Sequence, residues 1–197
     1  MDKKTSKKDH ILQHLVMLLE QSDNQRITTA LLAKATGVSE AALYKHFPSK
    51  TRMFEDLIDF IEKTLFVRIN HILKENEDHL LQLEKIMQLL LLFVEKNPGL
   101  CKILTREALV NEHLRLQSRV DKLFNRLETQ IKQLLKELEI RAQIKLVLLK
   151  TTIAKLCINL FDGRVNQYVR TGFVVKPTDD WESLWDFFKN QLFTTYD

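Results

Sequence analysis

The segment TTALLAKATGVSEAALYKHFP, residues Thr28 to Pro48, decides how the N-terminal part of this chain folds. Helix-forming residues on both sides of a Gly-Val-Ser step predict two short helices joined by a tight turn. Ala33 is small enough for the helices to cross closely, and Gly37 can adopt the left-handed conformation that ends the first helix. The segment therefore predicts a helix-turn-helix, although an ordinary helical hairpin has the same local signals. The residues predicted to be buried where the helices meet are Leu32, Val38 and Leu43.

The polar residues of this segment are typical of DNA recognition. Thr28 or Thr29 is predicted to cap the first helix and Ser39 the second, because their hydroxyls can accept a bond from an unpaired backbone N–H. The capping hydroxyls and a following lysine are expected to contact phosphates, and the second helix is expected to contact base edges in the major groove. Ala42 can touch a thymine methyl group there. The predicted DNA-binding residues are Thr28, Thr29, Ser39, Ala42, Tyr44, Lys45, His46 and Lys50.

The positive charge of the chain is concentrated around the same segment. The chain has 30 Lys+Arg against 26 Asp+Glu, a net charge of +4, and residues 1–52 contain 9 of the basic and 5 of the acidic residues. The rest of the chain is therefore neutral. The basic residues of the tail and of the hairpin region are Lys3, Lys4, Lys7, Lys8, Lys34, Lys45, Lys50 and Arg52. This distribution suits a phosphate backbone at the N-terminal end.

Composition predicts an all-α protein. With 45% hydrophobic residues but only 4 Gly and 3 Pro, the 197 residues favour long helices over a many-stranded sheet. Cys101 and Cys157 lie in apolar helical runs and are interpreted as buried thiols. No apolar run reaches the length of a membrane span, and the charged N-terminus lacks a signal core, so we expect a cytoplasmic protein.

The periodicity of apolar residues predicts about nine helices in two domains. A DNA-binding domain is expected over residues 1–48 and a helical dimerisation and partner-binding domain over 49–197. A polar loop, Gln21 to Gln25, is expected to connect the first helix to the hairpin. The predicted helices outside the hairpin run from Asp9 to Leu19, from a Ser49 cap to Glu75, from Asp78 to Asn97, from Leu100 to Thr105, from Glu107 to Leu138, from Ile144 to Arg170, and from a Thr178 or Asp179 cap to Leu192.

The last two predicted helices are apolar on more than one stripe. Ile153, Leu156, Leu160 and Phe161 are expected to face the core of the protomer. The residues expected to remain exposed in a monomer, and so to form a dimer interface, are Val165, Tyr168, Val169, Trp185 and Phe188. The alternative is that all of these residues are monomer core.

The run VSEAALYKHFPSKTRMFEDLI, from Val38 to Ile58, resembles the recognition helix and following linker of TetR-type regulators. KNPGL at Lys96 to Leu100 and KPTDDW at Lys176 to Trp181 further resemble the nucleoid-occlusion division inhibitors among them. The resemblance implies a dimer whose last two helices form a four-helix bundle, which places two recognition helices on a near-palindromic site. It also implies DNA and the division protein FtsZ as partners, at the nucleoid, with no cofactor or small ligand.

A second face of the fourth predicted helix carries Phe60, Thr64, Val67, Arg68 and His71 at helical spacing. The fifth helix has a similar mixture of apolar and cationic residues at its end. The resemblance implies that the acidic tail of FtsZ binds there, and the predicted partner-binding residues are Phe60, Arg68, Leu89, Lys96 and Asn97. The alternative is that Phe60 packs between the two helices.

Other chemistries have weaker signals. His10 and His14 are one helical turn apart, but no acidic or cysteine ligand in the sequence nearby completes a metal site. The sequence contains no phosphate-binding glycine loop and no nucleophile motif, so neither an enzyme nor a metal protein is expected. The remaining alternatives are a ligand-responsive repressor of the same fold and a helical scaffold that does not bind DNA.

Overall fold

The computed structural model describes residues 6–22, 27–110, 112–141 and 144–195. These residues form nine α-helices, one 3-10 helix and a two-stranded antiparallel ribbon, which confirms the predicted all-α fold. The α-helices are α1 (Lys7–Gln21), α2 (Thr29–Thr36), α3 (Glu40–His46), α4 (Lys50–Glu75), α5 (His79–Glu95), α6 (Pro98–Leu104), α7 (Leu114–Arg141), α8 (Lys150–Arg170) and α9 (Trp181–Leu192). The 3-10 helix is Glu107–Leu109, and the strands are β1 (Ile144–Leu146) and β2 (Phe193–Thr195). Lys3 and Lys4 of the basic tail and residues 23–25 of the predicted loop lie outside the described residues.

The chain divides into two compact units. The first unit contains residues 1–62 and 97–120, and the second contains residues 63–96 and 121–197. Helices α4 and α7 each contribute residues to both units. The predicted division at Pro48 does not coincide with the boundary of either compact unit, and as a boundary between functions it stays a prediction.

The core of the first unit forms where α1 packs against α2, α3 and α6. Ile11, Leu15, Leu43 and Phe47 are completely or almost completely buried. Gly99 is required for the approach of α6, because a Cβ atom at this position would lie 2.1 Å from the backbone oxygen of Val16 in α1. Only a residue without a side chain allows these two helices to lie so close together.

A buried lysine completes the end of α1. Lys102 of α6 is buried, and its Nζ donates to the backbone oxygen of Ser22, the C-cap of α1. The same Nζ lies 3.6 Å from Oε1 of Glu107, which supplies a countercharge. A cation at this position stabilises the partial negative charge that accumulates at the C-terminus of a helix.

Three ion pairs in the first unit join the start of α4 to the segment that leads into α7. Lys50 Nζ lies 2.7 Å from Glu112 Oε1, and Arg115 Nη2 lies 2.7 Å from Glu55 Oε1. Arg119 also pairs with Asp59. The pairs recur at about one-turn intervals along both helices, so they hold the first turns of α4 against the start of α7.

The second unit has α5 packed against α8. The hydroxyl of Tyr168 in α8 donates to the backbone oxygen of Glu95, 3.2 Å away. The Glu95 carboxylate accepts from the hydroxyl of Thr178 and lies 3.6 Å from Lys176 Nζ. These bonds attach the connection between α8 and α9 to the C-terminal end of α5.

Several predicted helix starts are wrong. The first helix begins at Lys7 rather than Asp9, and the sixth begins at Pro98 rather than Leu100. The seventh helix begins at Leu114 rather than Glu107, because Arg106 adopts a left-handed conformation (φ 65°) and only a 3-10 turn follows. The eighth begins at Lys150 rather than Ile144, because residues 144–146 pair instead with residues 193–195. The last helix has Asp180 as its N-cap, whereas Asp179 and Thr178, the predicted caps, bond to the Lys176 N–H and to Glu95.

Candidate DNA-binding and partner surfaces

The helix-turn-helix is present with its predicted caps. Thr28 Oγ1 accepts from the Leu31 N–H (3.1 Å) and Ser39 Oγ accepts from the Ala42 N–H (3.2 Å). Gly37 ends α2 in the left-handed conformation, with φ 69° and ψ 22°. Each of these residues lies at an end of a short helix, where local backbone chemistry decides the conformation.

Helix α3 buries one side and exposes the other. Leu43 and the C-cap Phe47 are completely buried, and Leu32 of α2 is buried beside them, as predicted. Val38, which was also expected in this contact, is only partly buried. Tyr44 is 49% exposed. Glu40 and Lys45 are exposed, and Ala42 and His46 are partly buried. The recognition helix is therefore accessible rather than enclosed by its own unit.

The hydroxyls at the helix starts differ in what they can still donate. Thr28 and Ser39 act as acceptors for helix N–H groups, so each keeps its hydroxyl proton for a phosphate oxygen. Thr29 instead donates to Glu40 Oε2 at 2.7 Å, across the turn between α2 and α3. Thr29 would have to leave Glu40 before its hydroxyl could bond to DNA.

Lys50, the predicted phosphate contact, is held in an ion pair. Its Nζ is 2.7 Å from Glu112 and 5.5 Å from the centre of the Phe54 ring, and its side chain is only 18% exposed. A phosphate would therefore compete with Glu112 for this cation. The sequence carries no signal for this contact, because the two residues are 62 positions apart.

The second face of α4 is exposed to solvent. Phe60 is 51% exposed, so the alternative in which it packs between α4 and α5 is wrong. Val67, Arg68 and His71 are also exposed. In α5, Leu89 is partly buried and Lys96 is exposed. Phe60 and Asn97 belong to the first unit, whereas Arg68, Leu89 and Lys96 belong to the second.

The prediction that five residues of α8 and α9 stay exposed in the protomer is wrong for three of them. Val165, Tyr168 and Trp185 are buried within the protomer. Tyr168 reaches Glu95 of α5, and the Trp185 ring stacks on Trp181 with centroids 5.7 Å apart. Docking of α8 on α5 therefore places this stripe inside. The other two predicted residues, Val169 and Phe188, are partly buried.

A different stripe of α8 and α9 faces solvent. Phe187 is 62% exposed, Leu156 is exposed and Leu160 is partly buried. Gly163 follows on the same face of α8, and no atom lies within 4 Å of the position its Cβ would occupy. The spacing of 156, 160 and 163 identifies one helix face, so the prediction that Leu156 and Leu160 face the core of the protomer is wrong. We name these exposed positions, which are Leu156, Leu160 and Gly163 of α8 and Phe187 of α9, the α8 face.

The two cysteines are buried, as interpreted from the sequence. Burial raises the pKa of the Cys101 and Cys157 thiols to about 12. Within residues 6–22, 27–110, 112–141 and 144–195, no three His, Cys, Asp or Glu side chains lie close enough to hold a metal ion. None of the helices in those ranges is long and apolar enough to cross a membrane.

Comparison with protein families matches both parts of the chain. Residues 11–57 match the bacterial regulatory proteins of the tetR family, and residues 74–193 match the SlmA-like class of the tetracyclin repressor-like C-terminal domain. The nucleoid occlusion factor SlmA of Alteromonas mediterranea is 52% identical over 191 residues, and that of Idiomarina loihiensis is 46% identical over 191 residues. Each alignment covers 97% of both chains.

Solved structures with the same fold are more distant in sequence. The fatty acid degradation regulator FadR of Bacillus halodurans superposes with a TM-score of 0.79 at 17% identity, covering 94% of this chain and 96% of its own. The regulator MbdR of Azoarcus sp. CIB superposes with a TM-score of 0.77 at 15% identity, covering 92% of this chain and 96% of its own. At these identities the similarity shows the fold alone.

Proposed function

Since the chain belongs to the family of the nucleoid occlusion factor SlmA, within the TetR regulators, we propose that it is a DNA-activated division inhibitor. It binds chromosomal sites as a homodimer and antagonises FtsZ assembly over the nucleoid, in the cytoplasm and without catalysis. The observation that carries this proposal is the match to SlmA at 52% identity over 97% of the chain. The accessible, capped α3 supports its DNA-binding part.

DNA recognition rests on α3. In the proposed complex this helix lies in the major groove, where Tyr44, Lys45 and His46 approach base edges. Thr28 and Ser39 donate their remaining hydroxyl protons to phosphates on either side. A twofold dimer presents two such helices, so the preferred site is a near-palindrome.

The dimer forms through α8 and α9. The α8 face, rather than the buried Val165, Tyr168 and Trp185, supplies its apolar contacts. A glycine inside a helix destabilises it by about 1 kcal/mol relative to alanine. Gly163 offsets this cost in the dimer by leaving room on the α8 face for the close approach of a second helix. Val169 and Phe188, which are partly buried, border the contact.

The FtsZ-binding residues lie on the outer faces of α4 and α5. Phe60 and Leu89 offer apolar contacts, whereas Arg68 and Lys96 offer positive charge to an acidic peptide. Phe60 lies in the first unit, and Arg68, Leu89 and Lys96 lie in the second, so each unit can contribute contacts of its own to an amphipathic peptide. Asn97 completes the predicted set.

The experiment is sedimentation of FtsZ polymers with the purified protein and no DNA, random DNA or DNA selected by the protein. Loss of polymer only with selected DNA supports the proposal, and equal loss in all three conditions contradicts it. Arg68→Ala should retain DNA binding and lose the effect on polymers. Lys63→Ala is the matched control, because Lys63 is exposed on the same helix at about 140° around the axis from Arg68.

A further inference from the structure

The connection between α7 and α8 exposes a contiguous apolar segment. Val147, Leu148 and Leu149 follow strand β1, and all three are exposed, with Leu149 at 76%. Ile140, in the last turn of α7, is exposed as well. We name residues 147–149 the apolar arm. Consecutive exposed residues of this size are uncommon on a protein surface unless they contact a partner.

The apolar arm is held in a defined conformation. Strand β1 pairs with β2 in a register that opposes Leu146 to Phe193, and the Val147 N–H donates to the Leu192 oxygen at 3.0 Å. On the other side, Lys150 Nζ donates to Glu139 Oε2 at 2.9 Å. An open groove of about 500 Å³ is lined by Glu139 and residues 146–151. These bonds hold the chain on both sides of the arm, and the apolar side chains of the arm line the groove and remain exposed.

The apolar arm continues the α8 face. Leu149 is the N-cap of α8, and it precedes Leu156 and Gly163 by seven and fourteen residues. Residues separated by seven positions lie on the same side of a helix, so Leu149 is in line with the stripe proposed to form the dimer. An interface along this stripe would reach the arm at the first turn of α8.

The charges beside the apolar arm favour an apolar partner over an anionic one. Lys150 is bonded to Glu139, and Arg141 Nε lies 2.8 Å from Glu137 Oε2. These two pairings reduce the positive charge that could attract a phosphate or a lipid head group, although Lys145 of β1 is exposed beside the arm. The alignment of Leu149 with Leu156 and Gly163 favours a second copy of the chain as this partner, because an isologous contact brings the same stripe of both copies together.

We propose that the apolar arm of each protomer packs against the second copy and extends the dimer interface beyond α8 and α9. This inference rests on the proposed dimer. It assigns Val147 and Leu149 as interface residues, with the β1–β2 ribbon as the support that positions them. The arm adds apolar area to the interface at the N-terminal end of α8, so it lowers the dissociation constant of the dimer.

The test is the dimer dissociation constant, measured by sedimentation equilibrium at low ionic strength and at high ionic strength. Leu149→Ser should raise this constant by about 100-fold. Each of the two copies loses one leucine contact, and each lost contact raises the constant by about tenfold. Serine is a preferred N-cap residue, so the substitution favours α8 rather than disrupting it. Helical content measured by circular dichroism should be unchanged.

Val174→Ser is the matched control. Val174 is also 76% exposed, but it lies in the connection between α8 and α9, away in sequence from the arm. Its variant should dimerise like the wild type. Equal loss of dimer in both variants would mean that exposed apolar residues act non-specifically, which overturns the assignment of the arm.

A third variant separates this inference from the proposed dimer. Leu156→Arg places a cation in the α8 face itself and should give monomers. If Leu156→Arg is monomeric while Leu149→Ser keeps the wild-type constant, the dimer stands and the arm is not part of it. If both variants dimerise normally, the α8 face and the arm are both wrongly assigned. Retention of the wild type, but not Leu149→Ser, on anionic vesicles with an unchanged dimer constant would identify a lipid contact and overturn the proposal.

Discussion

Helix α3 and the α8 face are both exposed, but exposure has different consequences for them. The exposed residues of α3 are Glu40, Tyr44, Lys45 and the small Ala41, and the helix is capped by the Ser39 side chain at its start and ends at the buried Phe47. The α8 face presents Leu156 and Phe187 to water. A surface of the first kind is stable in a monomer, whereas the hydrophobic effect drives a surface of the second kind to pair.

This difference predicts that DNA binding and dimerisation respond differently to salt. Binding of DNA by α3 depends on contacts between cations and phosphates, so it weakens as the salt concentration rises and the release of counterions from the DNA becomes less favourable. Pairing of the α8 face depends on apolar area, and added salt does not screen it. The protein can therefore be a stable dimer over a range in which its affinity for DNA changes strongly.

The largest expected effect comes from a substitution in the α8 face, the apolar surface of the two. Leu156→Arg should raise the dimer dissociation constant by about 1,000-fold, because two unpaired cations would be buried in the contact. The affinity for a palindromic site should fall with it, since a monomer occupies one half-site. Sedimentation and fluorescence anisotropy measure the two effects, with the exposed Lys155→Ala as control. A dimeric Leu156→Arg protein would contradict the assignment of the α8 face.

The next effect contrasts two glycines. Gly99→Ala should lower the free energy of unfolding by about 2 kcal/mol, because its Cβ would overlap the Val16 oxygen, 2.1 Å away. Gly163→Ala should stabilise the monomer by up to about 1 kcal/mol, since nothing occupies its side-chain position. The same substitution should weaken the dimer if a second helix approaches there. Urea unfolding of dilute protein measures the change in the free energy of unfolding for each variant. If Gly163→Ala lowers this free energy as Gly99→Ala does, the side-chain position of Gly163 is not open.

A smaller effect is expected on the DNA affinity of the polar surface around α3. Glu112→Gln should raise DNA affinity by about threefold, because it frees Lys50 for a phosphate without removing the lysine. Lys50→Ala should weaken binding to all sequences alike and reduce the salt slope by about 1. Anisotropy titrations over a salt series measure both. An unchanged slope in Lys50→Ala would show that this cation remains with Glu112 in the complex.

The smallest effect concerns the buried thiols. The folded pKa of Cys101 and Cys157, about 12, lies above the ordinary value of 9.0, so folding favours the neutral thiol. Their contribution to stability is complete below pH 9 and is lost as the pH rises from 9 toward 12. Iodoacetamide at pH 8 should modify neither cysteine in the folded protein and both in urea. Rapid modification of the folded protein would show that a thiol is accessible.

The helix-turn-helix could be predicted from the sequence because its determinants are local. The caps at Thr28 and Ser39 and the left-handed Gly37 act within four residues of the bonds they control. The exposed face of α4, with Phe60 and Arg68, was predicted for a related reason, since helical spacing alone separates it from the apolar stripe.

Features that depend on distant partners could not be predicted. Strand β1 exists because residues 193–195 return to pair with it, and nothing near Ile144 indicates that partner. Tyr168 and Trp185 are buried because α8 docks on α5 and because two tryptophans stack. A helix with apolar residues on two stripes does not itself decide which stripe its own chain covers.

The amino-acid sequence by itself determined the nine-helix plan and the capped recognition helix, because each depends on residues within a turn or two of one another, and it showed the family resemblance through motifs spread along the chain. Only the tertiary structure decided that Lys50 is paired with Glu112, that Gly99 lies against α1, and that Leu156 rather than Val165 faces solvent. Burial and ion pairing are properties of contacts between segments, so they are settled when the segments pack.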